Sequence, residues 1–492
     1  MKRVSCLLVL SLLITATRAA AMDPIPGEER FAALKEGEQN SAGAELGFGK
    51  LEEDFYLQLT ARVGLNFGKL GLGLQVPLNL RVIDEDPENN NDFYGVIRYE
   101  DWNEWQKFLK VIRYVRYNHK HTDDLLFVQV GELAAEIGHG TIMTRYMNNL
   151  DLNQFRVGSQ FDINTNYGGV ETVVGDFASL VAESPTSRLV GGRLFVKPVA
   201  FIDDTSLLNI FAIGTSVVTD LNAPREIEMQ PKTDSAGAPI VDAAGNPVLE
   251  PVIADHNLVI AEEGPQTVLG VDAEAKVINT DIIKLTPYTD LNFIGGAGWG
   301  WHLGTLFIFR FPVGFDLTIP LRLEYRRFKS DYIPAYFSTF YEIERYTYPL
   351  GGKGAAPKAR AVRALPSGKG INGYYGDLAF DFAGIIQVGG IYEDYDDGDP
   401  NLALFASVPA LEIIQAKAYY TRTGITGSND IFAFDDRSML IAEARYELIQ
   451  FLYLVGRFTR RWALDSEVGS KTYGEFEPSD DWKFGIEFSM QF

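Results

Sequence analysis

Cysteine, basic charge and long apolar runs are all scarce in this chain of 492 residues. The single cysteine is Cys6, so the rest of the chain has no thiol for disulfides or for a cysteine-ligated metal. Lys and Arg number 44 against 66 Asp and Glu, and the net charge of -22 argues against nucleic acid as a partner. No segment approaches the roughly 18 consecutive apolar residues of a membrane helix. These absences exclude a disulfide-stapled domain, a nucleic-acid-binding protein and a helical membrane protein.

The first 21 residues have the layout of a secretory signal peptide. A Lys-Arg pair precedes the apolar run 7–14, and three alanines precede Met22. We therefore predict export, with residues 1–21 removed. Residues 22–43 form a polar leader that lies either in the periplasm or inside a pore, and residues 44–492 form the folded domain.

The most regular pattern in the chain is strict alternation of apolar and polar or small residues over 55–82. Every second residue is apolar in 55–67 and again in 70–82, with Gly68 and Lys69 between the two runs. Period two is the signature of a β-strand. A two-residue turn pairs Phe67 with Leu70 and places both apolar rows on one face. Both runs exceed the roughly nine to eleven residues of a membrane-spanning strand, so we predict a wall between lipid and water.

Alternating segments recur through the rest of the chain. The connections between these segments mostly alternate between tight turns and long polar loops, as periplasmic turns and extracellular loops do in bacterial barrels. The longest connections are 219–265 and 329–370. We predict an all-β fold, a single antiparallel transmembrane β-barrel of about 18–20 strands over 44–492. Since such barrels have even strand numbers, the count of 20 requires a weak first strand at 44–49.

The last strand carries the most specific signal. Its apolar residues occupy every second position: Trp482, Phe484, Ile486, Phe488, Met490 and Phe492. This pattern, ending on Phe, resembles the C-terminal assembly signal of bacterial outer-membrane proteins. The resemblance covers this strand and the general architecture and matches no particular porin family. It implies the outer membrane of a Gram-negative-type bacterium, with membrane lipid and the barrel-assembly machinery as partners.

The polar faces of the predicted strands should line the lumen. Ten charged residues there are candidates for pore lining and ion preference: Arg62, Arg81, Arg193, Asp272, Glu274, Asp290, Asp316, Arg322, Glu324 and Arg326. The alternative is that they pair with each other and only keep the lumen wet. In the opening hairpin Arg81 faces Tyr56, which predicts a cation-aromatic contact near the rim.

Glycines 64, 71 and 73 share the predicted lumen face near the first tight turn. They leave the wall thin enough for another segment to pack there, and the polar leader is the nearest candidate. Alternatively, these glycines only relax a curved sheet.

Residues 134–153 do not alternate, and we interpret them as a long loop. The length and apolar content of 136–146 predict a loop folded into the channel as a constriction, with His139 and Arg145 exposed to solute. An irregular strand extension is the alternative.

Two charged loops have both a functional and an ordinary interpretation. The basic loop 353–369 could draw anions toward the mouth or bind the phosphates of lipopolysaccharide, whereas a solvated loop needs neither. The acidic run 393–399 suggests calcium, but its spacing misses the helix-loop-helix consensus, which favours a solvated turn.

Enzyme motifs are absent from the sequence. None of the five histidines stands in a metal-binding pattern, and there is no Gly-x-Ser-x-Gly elbow. His119 and His121 would share one strand face, and a hydrolase assembled from separate strands is the alternative.

We predict a porin-like outer-membrane channel for passive diffusion of small hydrophilic solutes, without cofactor or metal. Homo-oligomerisation is compatible with this class. The alternatives are a carrier for hydrophobic compounds resembling the outer-membrane fatty-acid transporters, or a structural or adhesive surface barrel. The sequence names neither the solute nor the ion preference.

Overall fold

The computed structural model describes residues 40–51, 54–84, 96–98, 101–118, 125–149, 155–181, 186–203, 208–233, 238–254, 257–311, 316–350, 356–366, 368–408, 413–466, 470 and 472–492. The predicted signal peptide, most of the leader, His119 and His121 lie outside these ranges.

Twenty antiparallel strands form one closed barrel. In chain order they are β1 Ser41–Leu51, β2 Asp54–Phe67, β3 Leu70–Ile83, β4 Ile112–Tyr117, β5 Leu126–Gly131, β6 Gly158–Asn164, β7 Gly168–Val174, β8 Leu189–Val196, β9 Phe211–Ile227, β10 Ile260–Ala275, β11 Ile283–Ile294, β12 Trp299–Phe311, β13 Leu317–Lys329, β14 Gly370–Phe382, β15 Ile386–Tyr395, β16 Asn401–Val408, β17 Ile414–Arg422, β18 Ser438–Ile449, β19 Leu452–Leu464 and β20 Phe476–Gln491. Each strand pairs with its neighbours in the chain, and β20 pairs with β1 to close the barrel.

Short helices and hairpins lie in the connections between the barrel strands. The helices are α1 Phe177–Val181, α2 Tyr341–Glu344 and α3 Lys358–Ala364, with 3-10 turns at Trp105–Val111, Pro198–Phe201 and Ser428–Asp430. Two small hairpins lie between β9 and β10, formed by Met229–Pro231 with Leu249–Pro251 and by Ile253–Ala254 with Asn257–Leu258. Ile278–Asn279 pairs with the start of β11. Among the described residues, no helix is long and apolar enough to cross a membrane.

The opening hairpin has the register that its alternation predicts. Phe67 pairs with Leu70, and Leu65 pairs with Leu72. The weak first strand is present and begins at Ser41, three residues before the expected start, which gives the even strand count. The predicted fold class, an antiparallel transmembrane barrel, is confirmed.

The outer and inner faces of the barrel differ in the way that lipid and water require. Apolar residues of the outer face are exposed, as Leu46, Val63 and Phe484 illustrate, whereas charged residues occupy the inner face. Phe48, Phe55 and Trp482 pack ring against ring on the outer face of the seam between β20, β1 and β2, with centroids about 6 Å apart. The seam is therefore covered by aromatic rings on its lipid side.

One predicted connection is shorter than expected. β9 and β10 continue beyond the usual strand length and remain paired as far as Ile227 and Ile260. The connection is therefore 228–259 rather than 219–265, because this hairpin extends past the neighbouring strands. The topology places it at the same end of the barrel as the other long connections, 84–111, 132–157 and 330–369.

Candidate functional site

A hairpin from the connection between β5 and β6 folds into the barrel. Its strands are Ala134–Ile137 and Met143–Met147, which pair with each other with one register shift, and Met143 also forms a bridge with Phe337. Ala135, Met143 and Tyr146 are fully buried. The loop that the sequence predicts therefore folds inward as a short, irregular hairpin; we call residues 134–147 the inward hairpin.

The tip of the inward hairpin is built on two glycines. Gly138 and Gly140 have φ values of 58° and 70°, a conformation that glycine adopts without steric cost. A Cβ on Gly140 would lie 2.8 Å from the guanidinium of Arg322, so the tip approaches the wall closely. His139 stands between these glycines and is thereby aimed at the wall.

A second segment covers the inward hairpin; we call residues 330–350 the packing loop. Backbone amides of Ala335 and Phe337 donate to the carbonyls of Thr141 and Ile142, at 3.0 and 3.1 Å. Around this contact lies an apolar core that reaches the walls of β7 to β14. A second apolar core joins Phe340 to Trp462 and other residues of β14 to β19. The two loops thus fill a large part of the lumen together.

Buried polar contacts fix the packing loop in place. Glu342 accepts hydrogen bonds from Tyr146 and from Ser187, the latter at 2.5 Å, and Arg156 lies 3.3 Å away. Buried carboxylates are tolerated when they are paired in this way. Glu342 therefore ties the packing loop to the inward hairpin and to the connections beside it.

Asp220 of β9 forms a second anchor for the packing loop. It accepts a hydrogen bond from Tyr341 at 2.8 Å and one from Arg345 at 3.2 Å. Both loop side chains are buried. Nothing in the sequence pattern links Asp220 to these two residues, from which it lies more than 120 positions away.

His139 is bonded on both ring nitrogens. Nδ1 lies 2.9 Å from Asp290 and Nε2 lies 2.9 Å from Glu274, while the ring stacks on Tyr288 with centroids 4.1 Å apart. Burial lowers the pKa of His139, but Asp290 and Glu274 together raise it to about 10, so the imidazole is protonated at neutral pH. The expectation that His139 is exposed to solute is wrong, because these contacts enclose it.

Arg145 is also buried rather than exposed to solute, which corrects the second expectation for this loop. It pairs with Asp377 of β14 and donates to the hydroxyl of Tyr375 at 3.4 Å. Its φ of 45° is unusual for a residue other than glycine. The hairpin is therefore held in a strained conformation by contacts on the far wall.

Five of the ten predicted lumen charges pair with each other. Arg193 binds Asp272 at 2.6 Å and Glu171 at 3.0 Å. Arg322 and Arg326 both donate to Glu324, each at 2.6 Å. Their guanidinium groups also lie over the ring of Tyr375, at 4.9 and 4.1 Å. The wall facing the inward hairpin is thus a connected network of charges.

Three other predicted lumen residues lie apart from this network. Arg62 is 3.8 Å from Glu45. Arg81 is paired with Tyr56 across the opening hairpin, and both contact the carboxylate of Asp54, at 3.1 and 3.4 Å. Asp316 precedes β13 and is exposed at the short-turn end of the barrel.

The glycine cluster on β2 and β3 accommodates a side chain from the neighbouring strand. A Cβ on Gly73 would lie 2.4 Å from the ring of Tyr114 in β4, and the same ring is near Gly64 and Gly71. The thin wall is therefore filled by Tyr114. The leader, the candidate that the sequence suggested, lies almost wholly outside the described residues.

Charges of the basic and acidic loops pair with each other and with neighbouring segments. Lys358 is buried and donates to Glu344 and, at 2.8 Å, to the carbonyl of Tyr336. Burial lowers the pKa of Lys358 and Glu344 opposes that shift. Lys369 pairs with Asp397 of the acidic run, and Glu393 lies 3.2 Å from Arg326. Part of the basic loop, including Lys353, lies outside the described residues.

These features define the class of protein. The barrel is closed, apolar outside and charged inside, and its last strand seals the seam. The chain is a transmembrane β-barrel of the bacterial outer-membrane type.

No protein-family model matches the sequence, and no curated protein matches it. Among solved structures, the siderophore receptor PirA from Acinetobacter baumannii is 12% identical to this chain, with a TM-score of 0.35. The match covers 93% of this chain and 81% of the PirA chain. OccK9 (OpdG) of Pseudomonas aeruginosa is 12% identical, with a TM-score of 0.31, and the match covers 92% of this chain and 98% of the OccK9 chain. The outer membrane protein opdK of Pseudomonas aeruginosa is 9% identical, with a TM-score of 0.31, and the match covers 92% of this chain and 99% of the opdK chain.

Proposed function

We propose that this protein is an outer-membrane channel for the passive diffusion of small hydrophilic solutes, narrowed by the inward hairpin and the packing loop. The observation that carries this proposal is the charged inner face of a 20-strand barrel. Barrels of roughly 16–18 strands already leave an aqueous channel unless loops close it. Such a channel needs no cofactor and no catalytic residue.

The solute path that we propose follows the wall formed by β1 to β4. Among the described residues, neither apolar core of the lumen includes a residue of these four strands. The inner face of β2 and β3 is polar, with Gln58 opposite Asn79 and Arg62 opposite Gln75. A polar wall beside an apolar plug favours hydrophilic solutes.

The constriction is static in this proposal. The contacts of His139 and Arg145 join the hairpin to three strands of the opposite wall, and most of these groups are buried. Breaking a buried ion pair costs about 3–5 kcal/mol. The channel should therefore conduct steadily, without voltage or a ligand to open it.

A carrier for hydrophobic compounds is the second candidate. The two apolar cores inside the lumen favour a carrier, because a hydrophobic solute could pass between them. A structural or adhesive barrel would rely on the long loops instead. Contacts with lipopolysaccharide, with the barrel-assembly machinery and between protomers stay predictions.

A liposome-swelling series tests the proposal. Purified protein is reconstituted and challenged with sugars, amino acids and short-chain fatty acids of matched size. Swelling rates that fall with solute size for the sugars and amino acids support the channel. No swelling with hydrophilic solutes, combined with uptake of labelled fatty acid, would overturn it in favour of the carrier.

A further inference from the structure

Three potential metal ligands meet where the tip of the inward hairpin touches the wall. The donor atoms of His139, Asp272 and Asp290 lie within 4.8 Å of one another, and all three residues are buried. Asp272 and Asp290 stand directly opposite each other on β10 and β11. The hairpin supplies the nitrogen ligand and the wall supplies two oxygen ligands.

Each of these ligands has a supporting partner on its other side. Glu274 binds His139 Nε2 at 2.9 Å, which leaves Nδ1 to face Asp290. Thr141 donates to Asp290 at 2.7 Å, and Arg193 donates to both oxygens of Asp272, at 3.0 and 2.6 Å, which leaves the second lone pair of each oxygen for an ion. A histidine that ligates a metal commonly donates its other ring N–H to a carboxylate, and ligating carboxylates are themselves hydrogen-bonded. The whole arrangement matches that pattern.

The charges of this cluster favour a divalent cation. Four carboxylates meet around the tip of the inward hairpin, those of Glu171, Asp272, Glu274 and Asp290, and the guanidinium of Arg193 pairs with two of them. Like charges directly opposite each other in a sheet are destabilising, and buried charge without compensation is costly. A divalent cation bound between Asp272 and Asp290 would reduce this excess of negative charge.

We propose that His139 Nδ1, Asp272 and Asp290 bind one divalent transition-metal ion of the Zn²⁺ type. One imidazole and two carboxylates suit Zn²⁺, whereas Ca²⁺ prefers about six to eight oxygen ligands. Bonds of about 2.0–2.2 Å require the donor atoms to move inward by roughly an ångström. The ion would join the hairpin tip to β10 and β11, and so hold the constriction in place.

Zinc titration of the full-length protein tests this site. The protein is purified in detergent, stripped with EDTA, dialysed and titrated with Zn²⁺ in a calorimeter. Wild type should bind one Zn²⁺ per chain, and both H139Q and D290N should lose at least about tenfold in affinity. The matched control is E443Q, which removes a carboxylate paired with Arg457 elsewhere in the lumen. Its affinity should equal that of wild type.

A second measurement keeps the test decisive if a variant fails to fold. The X-ray absorption spectrum of zinc-loaded wild type should fit nitrogen and oxygen ligands at about 2.0–2.1 Å, including an imidazole. Absence of stoichiometric binding by wild type would overturn the proposal. Equal affinity of wild type, H139Q and D290N, or a spectrum without imidazole, would do so as well. None of these readouts depends on whether the barrel conducts.

Discussion

Lys483 in the last strand and Glu45 in the first strand form an ion pair across the seam that closes the barrel, with Nζ 2.6 Å from the carboxylate. Both side chains are buried on the lumen face. On the opposite face of the same seam, Trp482 packs against Phe48. The pairing of the first and last strands is therefore stabilised by an ion pair on the lumen side and by aromatic packing on the lipid side.

Removing one member of this pair should weaken closure more than removing both. K483M leaves Glu45 buried without this partner, so we expect a loss of about 3–5 kcal/mol in the free energy of unfolding. The double variant E45M/K483M should recover part of that loss. Urea unfolding in lipid vesicles, followed by tryptophan fluorescence, measures both. Equal stability of wild type and K483M would contradict the assigned role of the pair.

The contact between Gly73 and Tyr114 predicts a steric effect. G73A places a methyl group 2.4 Å from the tyrosine ring, and we expect a loss of about 1–3 kcal/mol from overpacking. G376A is the matched control, because its new Cβ would meet only Leu323 at 3.7 Å. The unfolding midpoints of both variants in urea measure the effect. A G73A midpoint equal to that of G376A would show that the ring moves aside freely.

Arg145 should govern the rigidity of the inward hairpin. R145A removes the ion pair between the inward hairpin and Asp377, so the hairpin should detach from β14 and the single-channel current should become noisier and larger. The double variant R145A/D377A removes both members of the pair and should remain noisy. Single-channel recordings compare the open-level variance. A quiet R145A channel of wild-type conductance would argue against this contact as the restraint.

The apolar row of β20 should matter for assembly. Phe492 continues this row beside β1, and its amide donates to the carbonyl of Asn40. Removing the side chain with F492A should lower the yield of folded barrel in the outer membrane several-fold, while stability of the folded fraction changes little. The proportion of heat-modifiable protein in membrane fractions measures this. K483M is a useful comparison, since it should lower stability instead.

The sequence predicts the barrel well because alternation is a local signal. The register of β2 with β3 follows from a two-residue turn, and the alternating segment 482–492 coincides with the second half of β20, which ends at Gln491. The inward hairpin was visible for the opposite reason, since residues 134–153 fail to alternate. Its strands are short and do not join the barrel sheet.

The interior of the lumen could not be predicted from the sequence. Asp220 meets Tyr341, and Glu342 meets Tyr146, only because two loops fold together inside the barrel. His139 looked exposed because its neighbours Glu274 and Asp290 lie more than 130 positions away. Such contacts leave no periodic trace. The charged residues Glu274 of β10 and Asp290 of β11 contact His139, a partner that the sequence did not indicate.

The central claim is tested most directly by single-channel conductance. Wild type is compared with a variant in which a short Gly-Ser linker replaces residues 138–146. A matched control replaces the exposed turn 241–247 between β9 and β10 in the same way. The account predicts a steady ohmic wild-type pore, the same conductance in the control, and a conductance several-fold larger without the hairpin tip. A folded wild-type barrel without conductance, or a hairpin variant that conducts like wild type, would contradict it.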